Sequence, residues 1–315
     1  MDLLRIIFMG SAELACASLE ALTRQPGFEV LAVVTQPDRP RGRELKLQAS
    51  PVKQAAASRG LRVLQPERAR EEGFIGELRG LQPDLIAVAA YGQILPKAIL
   101  ELPRFGCLNV HTSLLPKYRG AAPIQWAILN DEAETGVTIM KMDAGLDTGD
   151  ILTQAATPIR AEDNAQTLHD RLGKIGAELL VSTIRDHVAG KITPRPQPAE
   201  GASHARKITK EDGRLDWTQP ARALWNRVRA FTPWPGAFTQ LPGQTPPQLL
   251  KIWQAEVVAG SGAPGEIIAA EKTGPVIACG DEALRILELQ REGGRRMSAG
   301  DFLAGHSLKP GVRFG

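Results

Sequence analysis

Leu108-Asn109-Val110-His111-Thr112-Ser113-Leu114-Leu115-Pro116-Lys117-Tyr118-Arg119-Gly120 is the stretch on which the reading of the fold turns. Its first four residues alternate apolar and polar. On a strand, Leu108 and Val110 then point to one face while Asn109 and His111 point to the other. Working outward, apolar runs at 3–9, 29–35, 61–64, 84–90 and 106–111 predict strands, with a sixth near 136–142. Segments 12–24, 52–59, 69–81, 94–101 and 122–130 between them have helical spacing and composition. Strand–helix alternation of this kind predicts an α/β domain, a mostly parallel sheet covered on both faces. Ligands of such sheets bind beyond the carboxyl ends of the strands, which is where Asn109 and His111 fall.

The texture changes after a long predicted helix at 161–188, opened by Glu162-Asp163-Asn164. Residues 190–208 lack periodicity and are rich in Pro and Gly, the composition of an extended linker. Beyond a helix at 219–231, short strands at 249–258, 265–269, 275–278 and 284–289 predict a second, smaller β-barrel. The expected domains are therefore 1–189, a linker at 190–208, and 209–315. A chain of 315 residues exceeds the comfortable size of one core, in keeping with two.

Bulk composition narrows the class. Hydrophobic residues at 43% and charged residues at 23% are those of a globular protein. Leu3 to Gly10 is apolar over too few residues to span a bilayer, and no membrane association is expected. Cys16, Cys107 and Cys279 are too few and too scattered for a disulfide framework or a zinc site, which fits a reducing cytoplasm. The net charge of +3 is unevenly spread: residues 1–190 hold 21 Lys and Arg against 23 Asp and Glu, residues 191–315 hold 17 against 12. That C-terminal excess suits a polyanion such as nucleic acid, and equally an ordinary soluble surface.

Asn109, His111 and, in Gly145-Leu146-Asp147-Thr148-Gly149, Asp147 carry the candidate chemistry. A side-chain amide N–H stabilises an oxygen that becomes negative, each such donor being worth roughly 3 kcal/mol of barrier. An imidazole on the same face relays a proton or donates to that oxygen, and Asp147 is the carboxylate that would orient it. The elbow that exposes a nucleophilic serine is absent around Ser113, and no His-Glu-x-x-His motif or close His/Cys cluster calls for a metal. Only Gly10 remains of a dinucleotide fingerprint. The trio therefore points to polarisation of a carbonyl without a protein nucleophile. Separately, Thr35-Gln36-Pro37-Asp38-Arg39-Pro40-Arg41-Gly42-Arg43-Glu44-Leu45-Lys46 leaves a strand as a loop, with five basic groups by Lys53. Those groups read as a phosphate grip or as a solvated surface loop.

At these residues the chain resembles the methionyl-tRNA formyltransferase family nearly from end to end. Asn-x-His-x-Ser-Leu-Leu-Pro at 109–116 is shared by folate-dependent formyltransferases broadly. The segments at 35–40, 42–43, 50–53, 119–125 and 134–140 resemble the tRNA enzymes more than their relatives. Ala230 to Ala237, with its Pro-Trp-Pro, matches sugar-amine formyltransferases as well. The resemblance implies a Rossmann-like formyltransferase domain joined to an OB-like barrel. It also implies formyl transfer from 10-formyltetrahydrofolate to the methionine amine of charged initiator tRNA, in translation initiation, with no metal and no required protein partner.

By the same resemblance Asn109, His111 and Asp147 are catalytic: the amine is expected to attack the formyl carbon directly, with Asn109 and His111 stabilising the oxyanion and Asp147 orienting His111 and accepting or relaying the amine's proton. Ala90, Tyr91, Gly92, Ser113, Leu114, Leu115, Pro116, Gly145 and Leu146 form the folate pocket by that resemblance. Arg39, Arg41, Arg43 and Lys46, with Arg206, Lys207 and Lys210 of the linker, face the tRNA. The turn Gly10-Ser11-Ala12-Glu13-Leu14 departs from the family's Gly-Thr-Pro-x-Phe and is assigned no role. Two alternatives stand beside this reading: formylation of a nucleotide-linked amino sugar by the same trio, and a non-catalytic RNA-binding protein.

Overall fold

A computed structural model describes residues 3–41, 46–242, 248–306 and 308–315. The chain divides into two compact units. The first comprises Met1–Pro123, Glu134–Pro158 and His169–Ala205; the second comprises Ile124–Ala133, Ile159–Leu168 and Arg206–Gly315.

From the N-terminus the elements run β1 (Leu4–Gly10), α1 (Leu14–Arg24), β2 (Phe28–Val34), β3 (Arg39–Arg41), β4 (Lys46–Gln48), α2 (Pro51–Ala57), β5 (Val63–Leu64), α3 (Glu72–Leu81), β6 (Leu85–Ala89), α4 (Lys97–Leu100) and β7 (Cys107–His111). There follow β8 (Arg119–Gly120), α5 (Pro123–Leu129), β9 (Glu134–Lys141), β10 (Ile151–Pro158), α6 (Ala165–Val188) and β11 (His204–Ala205). The main sheet has the order β10-β9-β7-β6-β1-β2-β5. Strands β7, β6, β1, β2 and β5 pair in parallel, as expected, and β9 and β10 extend the β7 edge antiparallel. Strand β10 was not among the expected strands. Its Thr153-Gln154-Ala155-Ala156-Thr157 has no apolar run, and it becomes a strand through its ladder with β9.

Alternation along β7 sorts its side chains. Cys107 joins Ile7, Met9, Ile86 and Val88 under Phe74 and Leu78 of α3 and Ile99 of α4. Val110 points to the opposite face, where it lies so close to α6 that a Cβ at Gly176 would stand 2.8 Å from its methyl. Asn109 and His111 therefore share the α3–α4 face at the carboxyl end of the strand.

In the second unit, α7 (Ala221–Ala230) precedes β12 (Ala237–Gln240), β13 (Leu249–Val258), β14 (Ile267–Glu271), β15 (Gly274–Ala278), β16 (Ala283–Arg291), β17 (Met297–Ser298) and α8 (Ala299–Gly305). Its antiparallel sheet, ordered β12-β13-β16-β15-β14 with β17 on β16, fits the small barrel-like domain expected. Leu250, Ile252, Ile277, Leu284 and Ile286 form its core with Leu224 and Val228 of α7 and Phe302 of α8.

Gly136 marks where packing leaves no room. A Cβ there would stand 2.2 Å from the Ala155 carbonyl oxygen and 2.5 Å from a Leu114 methyl. Backbone cannot retreat as a side chain can. Gly136→Ala is expected to destabilise the protein by about 1–3 kcal/mol, read as a lower urea midpoint with unchanged slope.

Candidate active site

His111 ends β7 with only 6% of its surface exposed. Its Nε2 lies 2.9 Å from the Tyr118 carbonyl oxygen. A carbonyl only accepts, so Nε2 carries the proton and the lone pair of the neutral ring is on Nδ1. Nδ1 faces Asp147 Oδ2 at 3.7 Å, beyond hydrogen-bond reach. The Tyr118 carbonyl thus makes the hydrogen bond that orients the ring, while Asp147, which the sequence had led us to expect in that role, stands within ion-pair distance of it. Tyr118 is only seven residues downstream, and the chain folds back at φ 60° there to bring its carbonyl onto the ring.

Asn109 stands two residues up the same strand face, roughly 6.5 Å of strand rise from His111. It is half-buried, and its side-chain amide makes no hydrogen bond among the described residues. An unpaired amide beside a fixed imidazole has the form of an oxyanion site.

Asp147 sits in the loop between β9 and β10 with φ 51°, in the left-handed region. Its Oδ2 accepts the Gly120 backbone N–H at 2.8 Å. Around it the loop folds on Asp143, whose Oδ1 accepts Gly145 N–H at 3.0 Å and the Thr148 hydroxyl at 2.8 Å. A Cβ at Gly149 would meet the Lys141 carbonyl oxygen at 1.9 Å, which explains the glycine two residues after Asp147.

Sequence reasoning missed the residues that hold this arrangement. Gln197 Nε2 donates to the carbonyls of Asp147 and Gly149, each at 2.8 Å, and Gln197 Oε1 accepts Arg119 Nε at 2.9 Å and Nη2 at 2.7 Å. Ser203 Oγ accepts the Tyr118 N–H at 2.9 Å, and β11 pairs in parallel with β8. Gln197, Ser203 and β11 lie in the stretch read as a linker, and spacing offered no signal for them.

The other expected site residues separate into two kinds. Ala90, at φ 44°, and Gly92, at φ 83°, form an exposed turn that ends β6. Tyr91 between them is buried in the core; its hydroxyl has no hydrogen-bond partner among the described residues, and burial, with Glu71 adding to it, pushes its pKa up to about 12. Gly145 and Leu146 are exposed beside Asp147, Leu146 to 54%. By contrast, the Ser113 hydroxyl is fully buried and donates to the Lys117 carbonyl at 2.6 Å. Leu114 lies against Gly136, Leu115 packs with Met140 and Ile151, and Pro116 follows a cis peptide. Side chains at 113–115 thus brace the floor of the site.

Ser11, in the turn that departs from the family pattern, ties strand ends together. Its hydroxyl donates to the Tyr91 carbonyl at 3.1 Å and accepts the Gln36 N–H at 3.0 Å.

The expected tRNA-facing cations differ in their freedom. Arg43 lies outside the described residues, and of Arg41 and Lys46 only the backbone is described, paired antiparallel as β3 with β4 in a segment expected to be loop. Arg39 pairs with Glu67 at 3.1 Å, and Lys53 gives its ammonium to Asp38 at 2.7 Å. Arg206 is held by Asp212 through both terminal nitrogens, and its guanidinium lies 5.2 Å from the Trp126 ring centre. Lys207 and Lys210 are exposed and have no ion-pair partner among the described residues.

With this geometry in hand, comparison with known proteins becomes specific. A family description reading "Formyl transferase" matches residues 4–184, and one reading "Formyl transferase, C-terminal domain" matches 207–307. Fold and family match together define a formyl transferase. The chain is 51% identical, over 99% of its own length and 96% of the relative's, to the methionyl-tRNA formyltransferase of Citrifermentans bemidjiense. It belongs to the methionyl-tRNA formyltransferase family.

Solved structures share the fold at lower identity. HypX from Aquifex aeolicus matches with a TM-score of 0.65 at 20% identity over 98% of this chain, which spans 49% of that protein. WlaRD, a sugar 3N-formyl transferase, matches with a TM-score of 0.65 at 21% identity over 91% of this chain and 97% of its own.

Asp212 gives a pH test of the Arg206 anchor. The Arg206 hydrogen bonds, and after them those of Thr209, hold its carboxyl well below the usual carboxylate range. A carboxyl depressed in the folded state stabilises above its unfolded pKa and loses that contribution as pH falls toward the folded one. The melting-temperature gap between wild type and Asp212→Asn is therefore expected to be widest near neutrality and to close below about pH 4.

Proposed function

We propose that the chain transfers the formyl group of 10-formyltetrahydrofolate to the α-amine of methionine on charged initiator tRNA, the formylation used in translation initiation. The observation that carries this is the unpaired Asn109 amide beside the buried, proton-fixed His111 and Asp147, in a chain half-identical to methionyl-tRNA formyltransferases over almost its whole length. No helix among the described residues is long and apolar enough to cross a membrane, and the proposed place of action is the cytoplasm.

10-Formyltetrahydrofolate supplies an activated formyl carbon. The site fits such a donor: an apolar rim at Leu146, an exposed backbone turn at Ala90 and Gly92, and an unpaired amide for the formyl oxygen. As the amine adds, the Asn109 amide N–H donates to the oxygen taking up charge. The amine's proton passes to His111 Nδ1, the nitrogen left basic by the Nε2–Tyr118 bond. A proton there turns the 3.7 Å contact with Asp147 into an ion pair, so charge on the ring is stabilised where it forms. His111 then returns the proton to the leaving nitrogen of the folate, and no bond to the protein is made. Ala90, Tyr91, Gly92, Gly145 and Leu146 are proposed to line the folate, with 113–116 as its support. The first unit carries this chemistry, and the second is proposed to hold the tRNA.

Asn109→Ala, His111→Ala and Asp147→Ala are each expected to slow single-turnover formyl transfer about a hundredfold or more, roughly 3 kcal/mol of barrier, in protein that still folds. Near-normal rates in all three would remove the trio from the mechanism. Labelled 10-formyltetrahydrofolate offered with charged initiator tRNA or with a nucleotide-linked amino sugar should label only the tRNA; label on the sugar would overturn the acceptor.

Lys207 and Lys210, without an ion-pair partner among the described residues, are proposed to bind tRNA from the second unit, and the basic segment through Arg43 from the first. Lys207→Ala and Lys210→Ala should each weaken tRNA binding and lower its log–log salt slope by about one, leaving the KM for folate unchanged. Arg206→Ala should change the slope less, because Asp212 already neutralises that charge.

A further inference from the structure

Asp147 is held from two directions. Its carboxylate accepts the Gly120 N–H, and its backbone carbonyl accepts the Gln197 amide across 50 residues of sequence. Within the loop Asp143 accepts the Gly145 N–H and the Thr148 hydroxyl, but these bonds do not reach Asp147 itself, and Asp143, Ala144, Gly145 and Leu146 are all exposed. A non-glycine residue in the left-handed region persists where its surroundings over-determine it. We infer that Gln197, fixed by Arg119, is a positioning residue that sets where the Asp147 carboxylate stands relative to His111. This rests on the reading of Asp147 as the partner of His111 in proton transfer.

The hydrogen-bond arithmetic identifies the amide as the part that matters. Both Gln197 Nε2 protons are used, on the Asp147 and Gly149 carbonyls. Both Oε1 lone pairs are used, on Arg119 Nε and Nη2. The amide cannot be turned over, because its oxygen would then face two carbonyls and its NH2 a guanidinium. A glutamate of the same shape keeps the Arg119 side as a charge-assisted pair and loses the Asp147 side. Tyr118, Arg119 and Gly120 are consecutive: the first holds His111, the second holds Gln197, and the third holds the Asp147 carboxylate. One tripeptide therefore holds both sides of the 3.7 Å gap between Nδ1 and Oδ2, directly at Tyr118 and Gly120 and through the Gln197 amide at Arg119.

The test compares Gln197→Glu, Gln197→Leu and Arg119→Lys with wild type, alone and in an Asp147→Asn background. Single-turnover rate, KM for both substrates and melting temperature are measured. Gln197→Glu and Gln197→Leu are expected to slow the single-turnover rate about tenfold or more with both KM values within about threefold, and to add less than about twofold once Asp147 is Asn. Arg119→Lys should follow the same pattern at smaller amplitude, and it serves if the Gln197 variants fail to fold.

A lowered melting temperature with the rate within about twofold of wild type would make Gln197 a structural tie and overturn the inference. So would an equal loss with and without Asp147, which would place its action elsewhere. Asp147→Asn alone at near-wild-type rate would instead overturn the role of Asp147, a failure visible before any Gln197 variant is read.

Discussion

The buried Nε2–H of His111 has one acceptor, the carbonyl of Tyr118, and the candidate site is organised around that bond. A donor buried without a partner is costly, so the imidazole is held to one orientation and its proton to one nitrogen. Tyr118 in turn is held by the Ser203 hydroxyl. The two residues that follow Tyr118 anchor Asp147, one through its carboxylate and one through Gln197. The acid and the base of the proposed proton transfer therefore share a single local reference, even though Asp147 arrives from another loop.

A parallel sheet supplies the platform. Strands β1, β2, β6 and β7 deliver their carboxyl ends to one edge, and the chain must turn away there without blocking it. Positive φ at Ala90 and Gly92 and the Ser11 hydroxyl bridging Tyr91 and Gln36 are the means. Below that edge the Ser113 hydroxyl, the Thr138 hydroxyl and the Gln154 amide satisfy the backbone from Ser113 to Lys117, and the Gln154 amide also donates to the Thr138 hydroxyl. Rigidity under an oxyanion site matters because its donors act only if they need not reorganise as charge develops.

Charge counted from composition misstates the surface available to a polyanion. Lys53 is neutralised by Asp38, Arg39 is paired with Glu67, and Arg206 is held by Asp212. Lys207 and Lys210 keep their charge free, so the basic character of the proposed tRNA face is carried by fewer groups than the sequence contains.

Most of the fold was legible in the chain, because period and composition are local. The expected parallel strands and the helices between them formed within a few residues of where alternation and helical spacing put them. Strand β10 was not legible, since a polar edge strand is defined by its ladder rather than by its own pattern. The common face of Asn109 and His111 follows from a period of two, and local sequence determined it outright. Only the tertiary structure decided that Tyr118 orients His111 and that Gln197, from a stretch with no periodicity, pins Asp147. Those bonds join a strand end, a tight turn and two distant loops. Hydrogen bonds across such separations depend on where folded backbone carries each donor and acceptor, which no spacing in a linear sequence encodes.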